Sequence, residues 1–173
     1  LRVIYSAEEI AERVGGLARE INADLGGGLL LVLGVLKGSI IFLADLVRRL
    51  EMPLKFEVVA LSSYREGDEP GELHFYGKLP EARPDERILV VEDIVDTGRT
   101  LTELRRYLDA HYGRPVSVCV FLNKPGRRRR RVDVDYTGFT YTGDGFVVGY
   151  GLDYAGRYRN LPFIAVLEAG EGE

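Results

Sequence analysis

Between Ile88 and Thr100 the chain reads I-L-V-V-E-D-I-V-D-T-G-R-T. Ile88 to Val91 is wholly apolar, which predicts a strand buried on both faces. It delivers two adjacent carboxylates, Glu92 and Asp93, to its C-terminal end, the edge at which open α/β sheets bind their ligands. Asp96, Thr97, Gly98, Arg99 and Thr100 follow where a helix opens. The N–H groups of a helix start have no intrahelical partners, and the helix dipole favours an anion there. Gly98 lets the backbone approach closely, and Thr97 and Thr100 add hydroxyl donors. These are the parts of a phosphate cradle. The neighbouring carboxylates repel phosphate, so they suit hydroxyl groups or a hard cation. A sugar phosphate carrying Mg2+ uses both halves. No G-x-x-x-x-G-K-[ST] string is present, so the segment is not a P-loop.

The rest of the chain has to hold this turn in place. Ser6 and Glu9 form a capping box, and Ile10, Val14, Leu17 and Ile21 continue at helical spacing until Gly26-Gly27-Gly28 stops them. Leu29 to Val35 is a second doubly buried strand. Ser39 to Leu50 reads as a helix, Phe56 to Ser62 as a strand. From Ser63 to Arg87 the pattern dissolves among Gly, Pro and charges, with a weak hairpin around Glu72 to Tyr76. A helix from Gly98 carries Leu101, Leu104 and Leu108 on one face, and Gly113 and Pro115 end it. Val116 to Leu122 is a strand, with short strands near Val134 to Thr137, Phe146 to Tyr150 and Phe163 to Leu167. Strand-helix alternation with buried strands predicts an α/β fold with a mostly parallel central sheet. The late strands are expected to form a small cap or an extension of the sheet on one domain spanning residues 1–173.

Composition narrows the function. The chain has 173 residues, 46% of them apolar, and a net charge of −4. That supports a real core and gives no general basic footprint for nucleic acid. The single cysteine excludes an internal disulfide framework and a multi-cysteine zinc site. No apolar run approaches about 18 residues, and no basic-then-apolar leader opens the chain, so a cytoplasmic protein without membrane contact is expected. Arginine outnumbers lysine 19 to 4. A lysine kept against that bias points to a need for a compact ammonium group.

The string V-V-E-D-I-V-D-T-G-R-T-L resembles the 5-phosphoribosyl-1-diphosphate motif of the type I phosphoribosyltransferases, and most closely that of their hypoxanthine-guanine branch. Four further segments extend the resemblance over most of the chain. Gly34-Val35-Leu36-Lys37-Gly38-Ser39 is similar to the family's diphosphate loop, in which the Leu36–Lys37 peptide is cis and the Lys37 N–H faces the diphosphate. Leu61-Ser62-Ser63-Tyr64 resembles the start of a mobile lid, about residues 63–87, that closes Ser63 and Tyr64 over the reaction centre. Phe121-Leu122-Asn123-Lys124 places Lys124 against the exocyclic oxygen of a 6-oxopurine. Gly145 to Tyr154 resembles the base-binding segment. There Phe146 stacks on the purine, the Val147 backbone reads the base edge, and Asp153 helps hold a metal. Arg159 lies just beyond and contacts the diphosphate.

The resemblance implies the type I phosphoribosyltransferase fold with a small hood. It implies Mg2+-dependent transfer of phosphoribosyl to N9 of hypoxanthine or guanine, giving IMP or GMP and pyrophosphate in purine salvage. Leu36, Lys37, Gly38 and Arg159 then serve the diphosphate, while Glu92 and Asp93 serve the ribose hydroxyls and Mg2+. Thr97, Gly98, Arg99 and Thr100 cradle the 5-phosphate, and Asp96 is the base near purine N7. A homodimer or homotetramer follows from the same source. Two alternatives stand beside this one: a xanthine-preferring transferase, and a regulatory RNA-binding protein on the same scaffold. Arg127 to Arg131 lacks interleaved aromatics and is expected to be a solvated loop or a subunit contact. Arg99 stands where many members have lysine, and Gly143 to Gly145 is unusually glycine-rich.

Overall fold

The computed structural model describes residues 1–63, 73–76, 78–130 and 132–168. The elements in chain order are β1 (Arg2–Tyr5), α1 (Ala7–Leu25), β2 (Leu30–Leu36), α2 (Ile40–Val47), β3 (Leu54–Ser63), β4 (Leu73–Tyr76), β5 (Arg87–Val95), α3 (Arg99–Tyr112), β6 (Ser117–Asn123), a 3₁₀ turn (Pro125–Arg127), β7 (Tyr136–Thr140), β8 (Val147–Val148) and β9 (Ile164–Val166). A six-stranded sheet runs in the order β4-β3-β2-β5-β6-β7. Its five strands β3, β2, β5, β6 and β7 are parallel, and β4 is an antiparallel edge.

The apolar runs form strands because both faces are covered. On β2, Leu30 and Val32 pack with α1 and α2, whereas Leu31, Leu33 and Val35 pack with α3. Each of these side chains contributes about 1.5–3 kcal/mol by leaving water. The helix α1 starts where its capping box predicts: Ser6 Oγ accepts from the Glu9 N–H at 3.2 Å, and Glu9 Oε2 accepts from the Ser6 N–H at 2.7 Å. It buries Ile10, Val14, Leu17, Ala18 and Ile21. The second helix stops three residues earlier than its periodicity predicts, because residues 48–50 tighten into i→i−3 bonds, Arg49 N–H to the Leu46 carbonyl and Leu50 N–H to that of Val47.

Two differences from the sequence reading affect the site. First, β5 continues to Val95 and pairs with β6 as far as Val95↔Asn123, so the acidic pair sits inside a strand and not in a turn after it. Second, the cap is a separate three-stranded antiparallel sheet, β1-β9-β8. Its first strand escapes periodicity because Arg2 and Val3 are exposed while Ile4 and Tyr5 are half-buried. The strand expected over Phe146 to Tyr150 shrinks to Val147–Val148, since Gly149 turns the chain at φ +100°.

The end of the stretch read as a lid is fastened to the body. Leu79 and Glu86 are buried. Glu86 Oε2 accepts from the Arg83 N–H at 2.9 Å and lies 3.1 Å from Lys55 Nζ. The Tyr112 hydroxyl donates to the Pro80 carbonyl at 2.9 Å. Glu86→Ala takes the acceptor from the part-buried Arg83 N–H and the carboxylate from Lys55, whose Nζ keeps only the Glu81 carbonyl at 2.8 Å, so it is expected to cost about 1–3 kcal/mol in urea unfolding. An unchanged midpoint would show that this anchor contributes nothing.

Candidate functional site

The chain leaves β2 through α2 to β3 on one side, and leaves β5 through α3 to β6 on the other. Where two neighbouring parallel strands part in this way, their C-terminal ends open a crevice. A cavity of about 310 Å³ lies there, lined by Val35, Leu36 and Gly38 after β2, by Leu61, by Glu92 to Gly98, and by Thr100 and Leu101. A larger hollow of about 750 Å³ opens at the opposite edge, between Gly26–Leu29 and Met52–Pro53. Asn22 in its wall is spent internally, on the Arg49 carbonyl and the Glu51 N–H, and open sheets do not bind ligands at that edge.

Asp96, Thr97 and Gly98 form the turn between β5 and α3. Gly98 has φ +79°, a conformation that glycine adopts without the penalty a Cβ brings. A Cβ there would also lie 2.6 Å from Val132 Cγ2 and 2.8 Å from the Arg130 carbonyl oxygen. The helix begins as Thr102 returns both its N–H (3.1 Å) and its hydroxyl (2.6 Å) to the Gly98 carbonyl. The preceding N–H groups, which a first helical turn leaves without intrahelical partners, belong to the residues beside the cavity.

Glu92 and Asp93 meet the same cavity. Burial raises the Glu92 carboxyl well above the ordinary range, and the charge of Asp93 pushes the same way. Burial raises Asp93 too, opposed by hydrogen bonds from Glu92 and from the Ile94 N–H and by the Arg159 charge. Asp93 Oδ1 accepts that N–H at 2.7 Å. Burial and the neighbouring charge disfavour ionising both carboxyls of such a pair together. A divalent cation relieves the same repulsion. Among the described residues no three His, Cys, Asp or Glu side chains gather into a metal cage. A pair of carboxylates fits Mg2+, which binds through one or two of them and completes its shell with water and substrate phosphates.

The loop after β2 is locked on three sides. The Leu36–Lys37 peptide is cis, as the resemblance implies. Ser39 Oγ donates to the Val35 carbonyl at 2.5 Å. Gly38 is pressed between strand and hood. A Cβ on it would fall 1.4 Å from Asp93 Oδ2, and a Cβ on Gly151 would fall 2.0 Å from the Gly38 carbonyl oxygen.

The residues expected on the base side gather one strand over. The Lys124 N–H donates to the Val95 carbonyl at 2.9 Å. Its side chain is only 6% exposed; Nζ donates to the Gly145 carbonyl at 2.9 Å and sits 5.8 Å from the Tyr141 ring centroid. Phe146 is 52% exposed, with an edge-to-face contact to Tyr154 at 5.2 Å. Val147 is buried. Gly145 and Gly143 are required, since a Cβ would meet Val166 Cγ1 and Tyr141 Oη, each at 2.3 Å. Arg159 pairs with Asp153 at 2.6 Å and donates to the Gly151 carbonyl at 2.6 Å, while the Gly156 N–H donates to Asp153 Oδ2 at 2.8 Å. Asp153 and Arg159, expected to serve metal and diphosphate separately, are thus joined to each other.

Leu36, Gly38, Glu92, Asp93, Asp96, Thr97, Gly98 and Thr100 therefore share one cavity. Arg99 points part of its charge at Glu103, 3.5 Å away. Ser63 ends β3, and Tyr64 lies outside the described residues. The arginine run departs from expectation. Arg129 and Arg130 are exposed, but Arg128 is half-buried and touches the Asp96–Gly98 turn. Its Nε donates to the Asp96 carbonyl at 3.1 Å, and a terminal nitrogen donates to Asn123 Oδ1. Charge and composition in the run gave no sign of this, because the acceptors include a main-chain carbonyl.

A family model described as "Phosphoribosyl transferase domain" matches residues 3–155. The hypoxanthine-guanine phosphoribosyltransferase of Mycobacterium avium is 41% identical over 96% of this chain and 85% of its own length. The bifunctional protein TilS/HprT of Listeria innocua is 39% identical over 96% of this chain, which spans 26% of that relative. A solved hypoxanthine-guanine phosphoribosyltransferase from Bacillus anthracis superposes with a TM-score of 0.88 at 36% identity, covering 97% of this chain and 99% of its own.

Proposed function

The chain belongs to the phosphoribosyltransferase family, and we propose that it transfers phosphoribosyl from 5-phosphoribosyl-1-diphosphate to N9 of hypoxanthine or guanine. The products are IMP or GMP and pyrophosphate. The observation that carries this is one cavity holding an acidic pair and a phosphate cradle, with a buried lysine at the end of the adjacent strand. The C1′–oxygen bond to the diphosphate breaks with its electron pair, and the C1′–N9 bond forms.

Thr97, Gly98, Arg99 and Thr100 hold the 5-phosphate, with Arg99 acting through its N–H. Glu92 and Asp93 bind the ribose hydroxyls and, with Asp153, are the residues that would hold Mg2+. When bound, that ion supplies a Lewis acid for the departing diphosphate. Leu36, Lys37, Gly38 and Arg159 bind the diphosphate through N–H groups and a guanidinium fork. Asp96 accepts hydrogen-bond density or the proton at purine N7. Phe146 stacks on the base, the Val147 backbone reads its edge, and Ser63 and Tyr64 close over an oxocarbenium-like sugar to keep water out. The enzyme acts in the cytoplasm as a homodimer or homotetramer. Exposed Ile40, Phe56 and Val58 support this assembly, since the register of β3 on β2 puts the latter two on the face that carries α2.

The test is direct: each purine is incubated with the diphosphate sugar and Mg2+, and nucleotide is measured. Folded protein that forms no nucleotide, yet binds RNA in a salt-dependent way, would overturn the reading. Xanthine turnover exceeding that of hypoxanthine would shift the base preference alone. Lysine has three donors and no acceptor, so Lys124 donates to O6 and rejects the amino group of adenine. Lys124→Ala is expected to lower kcat/KM for hypoxanthine by roughly 10- to 100-fold and to leave any residual adenine turnover unchanged. Equal losses on both bases would remove that role.

A further inference from the structure

Arg128, Arg129 and Arg130 cover the back of the phosphate turn. Besides the two bonds from the Arg128 guanidinium, the backbone N–H groups of Arg129 and Arg130 donate to the Thr97 carbonyl at 3.0 and 3.3 Å. A Cβ on Gly98 would meet Arg128 Cδ and the Arg130 carbonyl oxygen, each at 2.8 Å. The run and the turn are therefore packed together with no gap.

This contact sets the direction of the cradle. In a planar trans peptide the carbonyl of one residue and the N–H of the next point opposite ways. Among the described residues only Leu36–Lys37 is cis, so both peptides of the Asp96-Thr97-Gly98 turn are trans. Holding the Asp96 carbonyl toward Arg128 aims the Thr97 N–H away from the run. Holding the Thr97 carbonyl toward Arg129 and Arg130 does the same for the Gly98 N–H. Thr97, Gly98 and Thr100 line the cavity, and none of Arg128, Arg129 and Arg130 does. Arg128 is not among the lining residues, and its donors go to a carbonyl and an amide oxygen.

We propose that Arg128 is a positioning residue for the phosphate cradle. Its planar fork clamps the Asp96 carbonyl to Asn123, which fixes the Thr97 and Gly98 N–H directions and ties the cradle to the strand end that carries Lys124. The proposal rests on reading the cavity as the site of a phosphorylated sugar. A lysine at this position offers a point charge and cannot bridge both acceptors in one plane.

The experiment compares Arg128→Met, Arg128→Lys and Arg129→Met with the parent chain. It reads KM for each substrate, kcat, and the rise in Tm given by inorganic phosphate, at about 0.05 and 0.5 M salt. Arg128→Met is expected to raise KM for the diphosphate sugar by about 10- to 100-fold, to leave KM for the purine within about threefold, and to lose most of the phosphate-dependent Tm rise. The ratio to the parent persists at high salt. Arg128→Lys recovers part of the loss, and Arg129→Met, which keeps its backbone N–H, behaves as the parent. A sugar KM at the parental value overturns the proposal. So does an equal loss in Arg129→Met, or a loss that vanishes at high salt, since either makes the run an electrostatic attractor. If Arg128→Met does not fold, Arg128→Lys decides by the same two readouts. A parent chain that binds phosphate but makes no nucleotide sinks the functional reading and leaves the phosphate measurement to judge Arg128.

Discussion

An Asp96→Asn chain is expected to turn over about 10²–10⁴-fold more slowly than its parent, with KM for the diphosphate sugar within about threefold of it. The substitution is isosteric and leaves the turn intact. The carbonyl of residue 96 is still held by Arg128 at 3.1 Å, and Gly98 still opens α3. The cradle proposed for the 5-phosphate would be made of N–H groups and threonine hydroxyls, none of which changes. What is lost is a carboxylate that faces the cavity beside Glu92 and Asp93 and can take a proton, or a share of one, as N9 attacks C1′. An amide cannot accept a proton at neutral pH, and its NH2 group donates where the carboxylate accepted. Steady-state kinetics with both substrates varied, together with a single-turnover measurement, checks this, because product release can mask a slowed chemical step. Unchanged single-turnover rates would exclude Asp96 from the chemistry. A raised sugar KM at constant kcat would reassign it to binding.

The site is legible in the sequence where residue type alone sets the chemistry. Two carboxylates at a strand end and a D-T-G-x-T turn at a helix start have few uses, and Lys124 stands out in a chain that otherwise selects arginine. The parallel sheet is legible for a related reason, since β2, β5 from Ile88 to Val91, and β6 from Val118 to Leu122 are buried on both faces and read as apolar runs. What escapes is structure made by the main chain. The strand β1 has no alternation to betray it, and it exists because β9 offers it a partner. The turn after β8 depends on positive φ at Gly149, Tyr150 and Gly151, and only two of the three are glycine. Arg128 acts on a carbonyl, which every residue type carries, so no pattern at Asp96 could announce it. The arginine run is visible as charge, yet part of its role in the fold is carried by the N–H groups of Arg129 and Arg130.

Gly38 shows how far such backbone demands reach, and Gly38→Ala is expected to lower kcat/KM by about 10²-fold or more. The methyl group would sit 1.4 Å from Asp93 Oδ2 and 2.5 Å from Asp93 Cγ, with Cβ itself at 3.2 Å. Rotating a carboxylate tip does not relieve a clash with the whole side chain, and Oδ1 is already held by the Ile94 N–H at 2.7 Å. Moving the loop the other way is blocked by the hood, because the Gly38 carbonyl packs against Gly151 so closely that a Cβ there would lie 2.0 Å from it. Either Asp93 leaves the cavity or the loop after β2 does. Both displacements separate groups that the transfer needs within one ångström-scale arrangement, so KM for the diphosphate sugar rises and kcat falls together. The overpacking also costs about 1–3 kcal/mol of stability, readable as a lower urea midpoint in a chain that still folds. Gly28→Ala serves as the control, because a Cβ there meets nothing within 4 Å, and its kinetics are expected to match the parent. Parental kinetics in Gly38→Ala would mean that Asp93 can vacate its position without consequence, and would remove it from the sugar and Mg2+ site.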